Sequence, residues 1–255
     1  MTTHSASAAA PRRRRSRRAL TVIAAVALVA AVGFAALGIW QIERLVWKNA
    51  LVAAVTERST AAPVPAAEFS ATFTPDADEY RHVSATGAFD RSAEVLVQAV
   101  TAYGGGFWVV TPLRLDSGQT ILINRGFIPP DRRDPATHPA PTGTVTITGL
   151  LRASEPDGGF LRANDPSANR WFSRDVAAIA TARELTNTAP FFIDADRGAD
   201  PSAYPIGGLT VLSFSNNHLI YALTWFALAL MMLAAFGYVL WDDRRPHKDL
   251  DHDHS

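Results

Sequence analysis

The side chain with the most chemistry open to it is His218, which closes Asn216-Asn217-His218 at the mouth of an uncharged apolar run, Leu219 to Trp241. Tyr221 and Trp225 follow at i+3 and i+7, so in a helix they share one face below the imidazole. A neutral imidazole in that position can ligate a metal or the iron of a macrocycle. The same pattern suits an interfacial histidine in an aromatic belt, and the residues alone leave both readings open. On the first apolar run, Gly33, Ala36 and Leu37 would leave room for a flat ring, and the cations Arg44 and Lys48 would pair with its carboxylates.

Other chemistry is sparse. The chain has no cysteine, which removes disulfides, thiolate nucleophiles, iron–sulfur clusters and Cys-type zinc sites together. Met231 and Met232 are soft copper ligands, but the intervening helix puts them about 20 Å from His218. Gly-x-Ser-x-Gly, His-Glu-x-x-His and the phosphate-loop signature are all missing, and Gly104-Gly105-Gly106 lacks the lysine and helix that a phosphate loop needs. Asp194 and Asp196 are an acid–base pair by type, yet beside Gly198 and Pro201 they read more simply as turn caps. His82 and His138 have no carboxylate at ligand spacing, so surface or hydrogen-bonded roles are expected for both. The tail Asp249-Leu250-Asp251-His252-Asp253-His254 reads as solvated, with weak ion chelation as the alternative. An enzyme is therefore not expected. Formal net charge is zero and the only strongly basic patch is the arginine block before the first apolar run, so no nucleic-acid partner is expected either.

These residues must be positioned by the elements around them. Twenty-three residues from Leu219 to Trp241 span about 35 Å as a helix, enough to cross a bilayer. Ala19 to Ile39 is a second such run, preceded by six arginines in Arg12-Arg13-Arg14-Arg15-Ser16-Arg17-Arg18. By the positive-inside rule both termini are then cytoplasmic, with Arg244, Arg245 and Lys248 in agreement. A cleaved secretory signal is the alternative for the first run, but Gly38-Ile39-Trp40-Gln41 is not a small-x-small site. The expected layout is a basic cytoplasmic segment (1–18), a first transmembrane helix (19–39), an extracytoplasmic domain (40–217), a second transmembrane helix (218–241) and a cytoplasmic tail (242–255), in the cell (inner) membrane.

After Trp40 the helical period continues through Ile42, Leu45, Val46, Val52 and Val55, to about Arg58. Ala61 to Phe73, with Pro63 and Pro65, reads as a linker. The period then becomes two: His82–Phe89, Glu94–Val100, Phe107–Leu115, Thr120–Asn124 and Val145–Leu151 read as strands, with Asp116-Ser117-Gly118-Gln119 as a hairpin turn. Ser173 is expected to cap a helix running to about Leu185, and Pro190–Asp194 and Thr210–Phe214 to be the last strands. The fold class is a membrane α+β protein: two transmembrane helices flank a mostly antiparallel, barrel-like β domain with one or two helices.

Several segments are familiar as a set: Gly38-x-Trp40-Gln41-x-x-Arg44-x-x-Trp47-Lys48, Val109-Val110-Thr111-Pro112, Thr120 to Pro129, Trp171-Phe172-Ser173-Arg174-Asp175, Pro190 to Ala195, Pro205-Ile206-Gly207-Gly208 and Asn216 to Trp225. In this order they resemble the surfeit locus protein 1 family, assembly factors for haem-copper cytochrome c oxidase. The resemblance implies a role in maturing subunit I by helping haem a reach or stay in its site, with subunit I, haem a synthase and the lipid bilayer as partners. It implies His218 as the haem iron ligand, in a binding set with Tyr221, Trp225, Trp40, Gln41 and Arg44. Trp40 and Trp47, one heptad apart, also suit membrane anchoring. Asn124-Arg125-Gly126 is a candidate partner surface, Gly126 permitting a turn that aims Arg125 outward; the alternative is that Arg125 pairs with an internal acid such as Asp175. Ser215 departs from the family, which often has a basic residue there. A pure scaffold for subunit I without haem, and a membrane-tethered hydrolase, are the competing functions.

Overall fold

A computed structural model describes residues 16–159, 161–211 and 216–244. The chain divides into a helical unit, residues up to 50 together with those from 216, and a β unit over 51–211.

Two long helices make the helical unit: α1, Arg17–Thr60, whose last turns enter the β unit, and a C-terminal helix, His218–Arg244. Both are long and apolar enough to cross a membrane. Within the helical unit their buried positions are small (Ala27 and Ala31 on one, Ala222 and Ala229 on the other), while Val22, Val29, Leu230 and Met231 are exposed. Small side chains let the backbones approach and leave the large apolar ones facing outward, the arrangement lipid favours. Asn216 donates to Asn49 at 2.8 Å, Phe34 and Trp225 stack with centroids 5.7 Å apart, and a Cβ on Gly38 would meet the Phe226 ring. These pairings run in opposite directions along the two helices, which are thus antiparallel.

The β unit holds strands β1 (Val64–Pro65), β2 (His82–Phe89), β3 (Val95–Thr101), β4 (Gly104–Leu115), β5 (Thr120–Ile128), β6 (Thr144–Ala153) and β7 (Thr188–Ala195). Pairing runs β2–β6–β7–β5–β4 and closes because β4 also pairs with β2, giving a five-stranded barrel with β1 and β3 as appendages. Most pairs are antiparallel; β1–β2 and β5–β7 are parallel. Ile121, Ile123, Phe191 and Ile193 point into one core with Val83, Leu113 and Leu151. Leu122 and Phe192, on the opposite faces of the same strands, join a second core with Trp171, Val176 and Ile179. Burial on both faces is why β5 reads as a continuous apolar run.

Three expectations from sequence are corrected. Residues 61–73 are more than a linker: Val64 pairs with Val83 in β1–β2, and Ala66 is wholly buried. After α2, Pro75–Asp78, the next helix is α3, Val176–Ala182, making the C-terminal helix α4. The cap of α3 is Asp175, whose carboxylate accepts from the Ala178 amide, because the Ser173 hydroxyl is engaged by Asn164. Thr210 and Val211 are not in a strand, and the rest of that expected strand lies outside the described residues.

Candidate functional site

The site is built where α4 begins. Asn216 accepts the His218 amide on its side-chain oxygen at 3.4 Å, a capping contact that starts the helix, and its amide nitrogen holds Asn49 of α1. The His218 ring is half-buried, with Nδ1 2.7 Å from Gln41 Oε1 on α1. An amide oxygen only accepts, so this contact is a hydrogen bond when Nδ1 carries the proton, the tautomer that leaves the lone pair on Nε2. No hydrogen bond to Nε2 occurs among the described residues.

Of the residues expected with His218, only Gln41 touches it by a hydrogen bond. Trp225 is stacked on Phe34, Arg44 lies over the Trp47 ring at 4.5 Å, and Trp40 and Tyr221 are about half-exposed. Phe34 was not foreseen; only its contact with Trp225 reveals it. The apolar cavity of ≈ 420 Å³ between α1 and α4, lined by residues such as Ala31, Ala35 and Leu230, starts about two turns along α4 from His218.

A lone imidazole fits a macrocycle better than a bare ion. Among the described residues no group of three or more His, Asp or Glu side chains is placed to hold a metal. A haem supplies four nitrogens itself and asks the protein for an axial donor, for which Nε2, without a hydrogen bond among the described residues, would serve, and for flat apolar surface, which Trp40 and Tyr221 present.

A second cluster lies in the β unit. Asp194, at the end of β7, is buried and accepts from Asn124 Nδ2 (2.7 Å), Arg174 Nη1 (2.8 Å), Thr210 Oγ1 (2.8 Å) and Arg152 Nη1 (2.9 Å). Arg152 also donates to Glu79, and Arg174 reaches both oxygens of Glu155. Burial would pull the Arg152 guanidinium down, but Asp194 and Glu79 outweigh it and raise its pKa. A small cavity of ≈ 140 Å³ opens beside them, lined also by Trp108, Gly126 and Gly207. Asp194 is thus an ion-pair node, and Asp196 bonds separately to His82 at 2.9 Å; the two do not act together as acid and base. Arg152, Glu79 and Glu155 carried no sequence signal, because their meaning depends on strands far apart in the chain.

The Asn124-Arg125-Gly126 triplet faces inward. At Val109/Val110 the β4–β5 register slips, leaving Arg125 as the extra residue of a bulge. Gly126 takes φ +130° there, and a Cβ on it would lie 2.3 Å from the Ile206 carbonyl. Arg125, with 8% of its side chain exposed, pairs with Glu94 at 3.2 Å and donates to the His138 and Pro139 carbonyls; its acid is Glu94, not Asp175. Burial lowers the Arg125 pKa more than Glu94 restores it. His138 is buried against the same Glu94, 3.1 Å from Nε2, the hydrogen-bonded role expected of it.

Comparison with known proteins places these features in a group. The model of the SURF1 family matches residues 28–230. Surfeit locus protein 1 of Homo sapiens is 36% identical over 231 residues, covering 80% of this chain and 71% of the relative. That of Xenopus tropicalis is 33% identical over 251 residues, covering 89% and 78%. A SURF1-like protein of Monosiga brevicollis is 33% identical over 222 residues, covering 80% and 82%. The chain belongs to the SURF1 family.

Proposed function

We propose that this chain is an assembly factor for haem-copper cytochrome c oxidase that holds haem a on its way to, or in, subunit I. It works as a chaperone and not as an enzyme, in the cell membrane, with both termini cytoplasmic and the β unit outside; subunit I and haem a synthase are its partners. The observation that carries the haem reading is the His218–Gln41 contact, which takes up Nδ1 and leaves Nε2 with no hydrogen bond among the described residues, at the end of a helix apolar enough to span a bilayer. His218 would supply the axial nitrogen, Trp40, Tyr221 and Trp225 the flat faces, and Arg44 a cation for a propionate. Bound haem supplies an iron centre with its own ring donors. The chain's residues would orient it. Trp225 is held against Phe34, so its ring offers a fixed plane.

The test is to purify the full chain from cells that make haem a and record the visible spectrum. A Soret band that His218→Ala abolishes is expected. A haem-free wild-type chain that still restores oxidase assembly would make it the pure scaffold instead.

A further inference from the structure

We propose that Gln41 is a positioning residue that selects the tautomer of His218, holding the proton on Nδ1 and so leaving Nε2 as the ring's only lone pair. The proposal rests on the haem reading only for what that lone pair is for; the tautomer itself is a property of the haem-free chain.

A neutral imidazole has one proton and two nitrogens, and only the unprotonated nitrogen can bind a metal. Free histidine prefers the proton on Nε2, which would block the nitrogen that Gln41 does not hold. Gln41 Oε1 stands 2.7 Å from Nδ1, and an amide oxygen can only accept, so the proton is drawn to Nδ1. Asn216 is engaged elsewhere: it takes the His218 backbone amide on its oxygen and holds Asn49 with its nitrogen. Gln41 is uncharged, so it orients the ring without the added basicity a carboxylate would bring.

The two residues sit on different helices. Their contact is held in place because Gly38 lets the Phe226 ring lie against α1 and because Asn49, about two turns along α1 from Gln41, meets Asn216. The lone pair is therefore presented only when α1 and α4 are packed together, which ties ligand competence to the assembled helical unit.

The experiment uses the full chain in detergent with 15N-labelled histidine, His218→Ala identifying the resonance. The wild-type haem-free chain is expected to show the Nδ1-protonated form, Gln41→Leu the Nε2-protonated form, and Gln41→Glu, which keeps an acceptor, the Nδ1-protonated form again. In the haem-loaded chain Gln41→Leu is expected to weaken binding about 10- to 100-fold, and Gln41→Glu to keep binding and lower the reduction potential. A wild-type ring protonated on Nε2, or a Gln41→Leu ring that keeps its proton on Nδ1, overturns the proposal, and the wild-type measurement decides even if Gln41→Leu fails to fold. The expected tautomers with no haem in any variant would support the role of Gln41 and overturn only the haem reading.

Discussion

Replacing Asp194 with alanine removes one acceptor shared by Asn124, Arg174, Thr210 and Arg152, all within 2.9 Å. A hydrogen bond to a charged group is worth about 1.5–3 kcal/mol in mutational series, so a naive sum over the set would exceed the stability of many domains. The sum fails because neither arginine is orphaned: Arg152 keeps Glu79, and Arg174 keeps both oxygens of Glu155. The cluster changes from three carboxylates and two guanidiniums to two of each. The loss should fall at the low end of that for breaking a buried pair, about 3 kcal/mol. Asp194→Asn should cost about 2 kcal/mol, since it keeps the shape and one acceptor but turns an NH2 group toward a guanidinium. Urea unfolding of the full chain in detergent, followed by tryptophan emission, checks both; Trp108 lines the adjoining cavity and Trp171 lies in the second core. An Asp194→Ala midpoint equivalent to less than about 1 kcal/mol at unchanged slope would mean that the β unit is not organised around this carboxylate.

Gly126→Ala should cost several kcal/mol, about the scale of overpacking plus a strained φ, because its Cβ would strike the Ile206 carbonyl; a soluble yield and melting temperature equal to wild type would refute the bulge argument. Asp175→Ala should lose about 1 kcal/mol as a helix cap, whereas Ser173→Ala should lose only its bond to Asn164, so the larger midpoint shift belongs to Asp175. At His82 burial pulls the pKa down, but Asp196 and the Ala61 carbonyl outweigh it and raise it above 6.5. Both ring nitrogens face oxygens, so the folded state favours the imidazolium. Its stabilisation is complete below the ordinary value of 6.5 and fades as pH rises through the raised one. The deficit of Asp196→Asn against wild type, measured by unfolding midpoints on either side of that range, should therefore shrink toward alkaline pH; a constant deficit would refute the link.

What the sequence made legible follows local physics. The run Thr120-Ile121-Leu122-Ile123-Asn124 is short, rich in β-branched residues and preceded by a turn, which is enough to mark a strand, and β5 lies there. The apolar runs are visible because lipid demands length and composition, nothing subtler. The turn at Gly118 is visible because φ +79° suits a residue without a side chain. What was not legible depends on partners distant in the chain. Ser173 and Asp175 are both good capping types, and only the capture of Ser173 by Asn164 decides between them. Barrel closure rests on three residues, Gly87, Ala88 and Phe89, meeting Leu115, Arg114 and Leu113, a pairing no periodicity announces. Glu94 as the acid for Arg125 is equally hidden, since the bulge that re-aims Arg125 arises from a slip in strand register.

The same distinction explains the character of the two clusters. A buried ion-pair node such as that at Asp194 adds little net stability over well-packed apolar side chains, because desolvation offsets much of the Coulomb gain. Its directional bonds do something apolar contacts do badly: they fix β5 through Asn124, β6 through Arg152, β7 through Asp194 and the Trp171–Asp175 segment through Arg174 at one point. Thr210 adds the start of the connection toward α4 to that point. Three of the segments that resemble the family, Thr120 to Pro129, Trp171 to Asp175 and Pro190 to Ala195, supply Asn124, Arg174 and Asp194 to it, while Arg152 and Thr210 lie outside them. The two clusters thus differ in kind: the bonds at Asp194 pin strands far apart in the chain at one point, whereas the contact of Gln41 with His218 joins two helices through an imidazole whose proton it is proposed to place.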